Sequence, residues 1–119
     1  MENAKNTDLE AAISACSNCY QTCLRTAMNH CLPAGGRHVE TEHFRLMMNC
    51  VEICKATANF HLSSSAFSKK LSALCAEVCD ACAKSCEDIG GMNDCVSACR
   101  ECAECCRRMD VATQPVGVP

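Results

Sequence analysis

The stretch Cys75-Ala76-Glu77-Val78-Cys79-Asp80-Ala81-Cys82-Ala83-Lys84-Ser85-Cys86 decides the fold. Its cysteines step by 4, 3 and 4 residues, and the same steps return in Cys95, Cys99, Cys102 and Cys106. At the α-helical rotation, Cys79, Cys82 and Cys86 fall about +40°, −20° and +20° from Cys75. Neither run contains glycine or proline. Each run therefore predicts a helix whose inward stripe carries thiols where an ordinary bundle helix carries leucines.

Two more helices follow on working outward. The first is expected to start at the capping-box pattern Thr7-Asp8-Leu9-Glu10 and to stop after Cys31, at Leu32-Pro33-Ala34-Gly35-Gly36. Cys16, Cys19, Cys23 and Cys31 share an arc of about 120° on it, with His30 at the edge. The second runs from Val39 or Glu40 to His61 or Leu62 and is closed by Ser63-Ser64-Ser65. On it His43, Met47, Cys50, Cys54 and His61 share about 60°. The two quoted helices span Phe67 to Asp88, closed by Gly90-Gly91, and Asn93, as cap, to Met109. Met92 and Met109 extend the last stripe at either end. Cys105 falls about 80° to one side of it.

No segment alternates with period two, so the fold class is all-α. Short connections favour an antiparallel up-down-up-down four-helix bundle with a thiol-lined core. Residues 1–110 form one domain, and 111–119, with two prolines and a glycine, form a loose tail. The antiparallel order gives the core two ends. Leu9, Ile13, Phe60, Phe67 and Leu71 collect as an apolar plug at one. His30, Cys31, His43, Met47 and Met92 collect as a mouth at the other. His61, at the plug end, reads as structural and His38 as solvated.

Composition narrows the function. There are fifteen cysteines in 119 residues, aromatics are only 3 % and tryptophan is absent, so thiols must fill much of the core. With a net charge of −3 and no basic stripe, nucleic acid is a poor partner. No apolar run approaches a membrane span of about 20 residues. The polar N-terminus lacks the parts of a secretory signal, which points to the cytoplasm. There, dense cysteine signals metal rather than disulfides.

Thiolate is soft, and Cu(I) is the soft ion that accepts two or three sulfurs. Buried thiolates need counter-charge, so one cation per thiolate predicts a capacity on the order of ten to fifteen Cu(I) per chain. The candidate ligands are Cys16, Cys19, Cys23, Cys31, Cys50, Cys54, Cys75, Cys79, Cys82, Cys86, Cys95, Cys99, Cys102, Cys105 and Cys106, with His30, His43, Met47 and Met92 at the mouth. Met47 and Met92 read equally well as core filler. The competing reading is a metallothionein-like zinc or mixed-metal buffer with three or four tetrahedral ions. The Cys-x2-Cys pairs, however, lie in helical runs without the turns of a zinc knuckle. Iron–sulfur ligation and redox Cys-x-x-Cys chemistry call for loop or strand–helix settings that this sequence lacks. The pattern points to Cu(I) storage or buffering, not to an enzyme.

The paired Cys-x3-Cys-x2-Cys-x3-Cys helices, and His43-x3-Met47-x2-Cys50-x3-Cys54, resemble the copper storage proteins over Cys16 to Cys106. The resemblance implies a bundle that loads Cu(I) through inward cysteines, of the cytosolic rather than the exported kind. It also implies assembly as a homotetramer and exchange with copper donor or acceptor proteins. Ala27 and Ala58 stand at stripe positions where a further thiol would be possible, so no ion count follows from it.

Overall fold

The structure, a computed structural model, describes the backbone of residues 2–112 and the side chains of residues 7–109. Four long helices form it: α1 (Glu2–Thr26), α2 (Thr41–Leu62), α3 (Ser68–Ile89) and α4 (Asn93–Ala112). There is no strand among the described residues. The helices pack in a ring in chain order, with α1 closing against both α2 and α4. Neighbours run antiparallel. Cys16 and Cys23 of α1 meet Cys106 and Cys95 of α4, while Met47 and His61 of α2 meet Cys86 and Ser72 of α3. This is the expected up-down-up-down bundle. None of the described helices is long and apolar enough to cross a membrane.

The interior is sulfur lined with alanine. Beside the cysteines the buried apolar residues are Ala12, Ala15, Ala27, Ala58, Ala76, Ala83, Ala98, Ala103, Val51, Met47, Met92 and Met109. No leucine, isoleucine or phenylalanine is among them. A buried leucine contributes about 1.5–3 kcal/mol, and that contribution is largely missing here. The outer faces add ion pairs: Arg100 and Arg107 of α4 both reach Asp80 of α3, and Arg108 reaches Glu104 and Asp8.

Helix ends follow the punctuation with four shifts. First, α1 begins at Glu2, so Thr7 and Glu10 lie inside it rather than capping it. No glycine or proline stands between Glu2 and Asp8, and nothing stops the helix from extending. Second, α1 does not stop at Cys31. It passes into a π-helical turn, Ala27–Cys31, in which the Leu32 N–H donates to Ala27 O, and then a short turn, Leu32–Ala34. Pro33 is tolerated because it sits at the start of that turn, where no N–H is needed. Gly35, at φ 69°, makes the break. Third, Asn93 is the first helical residue of α4, not its cap, and the Val96 N–H donates to Met92 O. Fourth, α4 runs on to Ala112, two residues into the expected tail; residues 113–119 lie outside the described residues.

The plug is the largest correction. Phe67 is 65 % exposed, and Leu9, Ile13, Phe60 and Leu71 are only partly buried. Buried at that end are the polar Thr57, His61 and Ser72 beside the smaller or more flexible Ala12, Ala58 and Met109. The reason is the tight serine connection. Ser63 and Ser68 hydroxyls both donate to Phe60 O, and Ser64 adopts φ 56°, which leaves Phe67 on the outside of the corner.

Candidate metal centre

All fifteen cysteines are free and buried. Twelve of them form five groups of four whose sulfurs all lie within 4.8 Å of one another. From the serine-corner end upward these are Cys16/Cys75/Cys102/Cys106, Cys54/Cys75/Cys79/Cys102, Cys19/Cys50/Cys54/Cys79, Cys19/Cys23/Cys50/Cys99 and Cys23/Cys82/Cys95/Cys99. Each group shares members with the next, so the sulfurs form one continuous column. The links include Cys23 to Cys95 at 3.1 Å and Cys54 to Cys79 at 3.4 Å.

Three cysteines stand outside these groups. Cys86 Sγ lies 3.7 Å from Cys95 Sγ and 3.6 Å from Met47 Sδ, so it continues the column. Cys31 Sγ lies 3.6 Å from Met92 Sδ and 4.0 Å from His43 Nε2. Cys105 is buried but off the stripe, as its spacing indicates, and its sulfur takes a contact from Arg108 Nη2 at 3.3 Å.

The mouth is assembled differently from the expected set. His43, Cys31 and Met92 gather there and are buried. Met47 is deeper, its sulfur 3.6–3.9 Å from Cys86, Cys82 and Cys95. His30 is exposed, its ring centroid 4.8 Å from that of His38 in an edge-on contact. The π turn accounts for this. An i→i+5 bond inserts one extra residue, so Cys31 takes the inward place that residue 30 would hold in an α-helix. His38 is not simply solvated: its Nδ1 is buried and without a partner. A surface cleft of about 390 Å³, lined by Thr26, His30, Met92, Asp94 and Cys95, opens at this end.

Burial pushes the Cys31 and Cys105 thiols up. Within the column, hydrogen bonds between thiols act with burial. Cys102 and then Cys106 hold Cys16 well above the ordinary value. Cys102 does the same to Cys54. Cys102 itself is pulled down by Cys106 and Cys16, and Cys50 by Cys19 and Cys23. Removing protons from thiols packed this closely and this deeply requires cations in their place. Burial, then the nearby His38, holds the His43 imidazole below its usual range. A neutral ring keeps a lone pair for a metal.

Two serine partners of the buried histidines had no place in the sequence reading: Ser85, 2.8 Å from His43 Nδ1, and Ser72, 2.8 Å from His61 Nε2. Ser72 was legible as a polar residue in register with the Cys75 stripe. Ser85 carried no such signal.

A column of overlapping thiol sites inside a four-helix bundle defines a protein that holds soft metal ions in number. The chain matches the copper storage protein (Csp) family over residues 5–111 and belongs to it. A crystal structure of a Nitrosospira multiformis protein is 61 % identical and superposes with a TM-score of 0.87, over 89 % of this chain and 97 % of that one. The Cu(I)-bound copper storage protein BsCsp3 is 33 % identical, with a TM-score of 0.80 over 87 % of this chain and 98 % of that one. The uncharacterized cysteine-rich protein YhjQ of Bacillus subtilis is 35 % identical over 71 residues; these are 60 % of this chain and span 65 % of that relative's length.

Proposed function

We propose that the chain is a Cu(I) store in the cytosol that carries many ions per molecule as cargo and catalyses nothing. The observation that carries this reading is the continuity of the column: five overlapping sulfur groups leave no gap along the bundle. Bridging thiolates let neighbouring ions share ligands at low coordination number, which suits Cu(I). Each ion that binds releases a thiol proton, so loading weakens in acid. Charge balance gives a capacity on the order of ten to fifteen ions. Dense free thiols suit a reducing compartment. Residues 1–110 act as one domain. The exposed Leu24, Met28, Leu32 and Val39 support a homo-oligomer, a tetramer in keeping with the family resemblance.

Copper enters at the end that gathers Cys31, His43 and Met92, past His30 and down to Met47. Imidazole and thioether accept Cu(I) without first losing a proton, so they pass the ion inward rather than trap it. Donor and acceptor proteins exchange copper there.

The test is anaerobic titration of the reduced protein with Cu(I) against a chromophoric competitor. Tight uptake of about ten or more ions is expected. One observation favours a second reading, a zinc buffer. Three of the groups, Cys16/Cys75/Cys102/Cys106, Cys19/Cys50/Cys54/Cys79 and Cys23/Cys82/Cys95/Cys99, share no residue and match three tetrahedral sites. Saturation at three ions, with Zn(II) held as tightly, would install that reading in place of the first.

A further inference from the structure

The two ends of α2 carry the same pair of residue types in opposite senses. At the mouth, His43 Nδ1 lies 2.8 Å from Ser85 Oγ of α3, and His43 Nε2 faces Cys31 Sγ at 4.0 Å. At the serine-corner end, His61 Nε2 lies 2.8 Å from Ser72 Oγ of α3. The serine engages Nδ1 in one ring and Nε2 in the other. Both rings are buried, so neither reorients freely. An imidazole binds metal through whichever nitrogen lacks a proton, and the partner of the other nitrogen decides which that is.

We propose that Ser85 is a positioning residue for copper loading: it accepts the Nδ1–H of His43, fixes the ring, and leaves Nε2 unprotonated and aimed at the Cys31–Met92 pair. Ser72 does the reverse to His61, consuming the nitrogen that would otherwise reach a metal. The same hydrogen bond thus opens one histidine to Cu(I) and locks the other into the wall. The inference rests on the reading of the His43 end as the point of entrance.

The test is stopped-flow loading of the full reduced chain from a Cu(I) donor complex, with four variants. Ser85→Ala should slow loading roughly ten-fold, the scale on which ligand-orienting partners act, with capacity unchanged. Ser85→Thr, which keeps the hydroxyl, should restore the rate. Ser72→Ala removes an equivalent bond at the far end and should leave the rate alone. His43→Ala separates the two readings. If His43→Ala loads at the wild-type rate, the entrance reading falls and Ser85 falls with it. If His43→Ala is slow while Ser85→Ala is normal, the role of Ser85 alone is overturned. Equal slowing by Ser72→Ala would mean general loosening of the bundle, and would overturn it too. Nitrogen NMR of the wild-type apo protein gives an answer independent of any variant's folding. His43 protonated on Nδ1 supports the proposal, and His43 protonated on Nε2 overturns it.

Discussion

The middle of the bundle and its His43 end are built from different side chains. Between Cys16 and Cys99 the core is sulfur against sulfur, each group overlapping the next. Past Cys95 the thiols thin out, and Met47, Met92, Cys31 and His43 take over. The middle gains a negative charge for each proton it gives up; of the four groups at the other end, only Cys31 has a thiol proton to lose, while Met47, Met92 and His43 offer neutral donors. Capacity and rate of loading should therefore reside in different residues. The alanines on the flanks let the helices close around the column, which is built from helical residues alone.

The largest effect should come from cutting the middle. Cys19, Cys50, Cys54 and Cys102 each belong to two groups. Replacing all four by serine should remove about a quarter of the copper capacity, on one cation per thiolate. Met92→Leu with Cys31→Ser should cost on the order of one ion on the same basis and act mainly on rate. Titration and stopped-flow loading of both variants decide the matter, and equal losses of capacity would erase the distinction between the regions.

A smaller effect follows from protons. Burial raises Cys31 and Cys105 above the ordinary thiol value of 9.0. Above that value the unfolded chain releases these protons while the folded chain holds them, so stability is full below it and falls as pH rises. The slope is up to about 1.4 kcal/mol per pH unit for each such thiol. His43 and His61 are lowered, again by burial first. Their contribution is present above pH 6.5, where both states are neutral, and is lost as pH falls and the unfolded rings take up protons. Chemical denaturation of the apo protein across pH should thus show a maximum between these limits. Copper loading should abolish the alkaline limb, because bound thiolates have no proton left to lose.

Much of this was legible in the sequence, because 4-3-4 spacing of one residue type fixes helix, face and content together. The helices and their stripes follow from such spacing, and the antiparallel order from the short connections. What escaped depends on neighbours that periodicity does not see. The π turn at Ala27–Cys31 changes the rotation by one residue, so it moves His30 out and Cys31 in without any mark in composition. The apolar plug does not form because the serine turn at that chain corner holds Phe67 outside, a matter of loop geometry that apolar composition does not encode. Ser85 escaped because only the packing of α2 on α3 brings it to His43.

The smallest effect tests whether anything outside the column matters to it. Arg100 pairs with Asp80 at 3.4 Å and Glu87 at 3.1 Å, and Arg107 with Asp80 at 2.7 Å, all on exposed or half-exposed faces of α3 and α4. Exposed pairs contribute about 0.2–1 kcal/mol, and salt screens them. Arg100→Ala should therefore lower apo stability by about 0.5 kcal/mol, and less at high salt, with copper capacity and loading rate untouched. These pairs lie on the outside of the same two helices whose inner faces carry Cys75 to Cys86 and Cys95 to Cys106. If Arg100→Ala changed loading, the spacing of α3 and α4 would be set by surface charge. If it does not, the spacing is set by the sulfur and alanine between them, and the column holds its own shape.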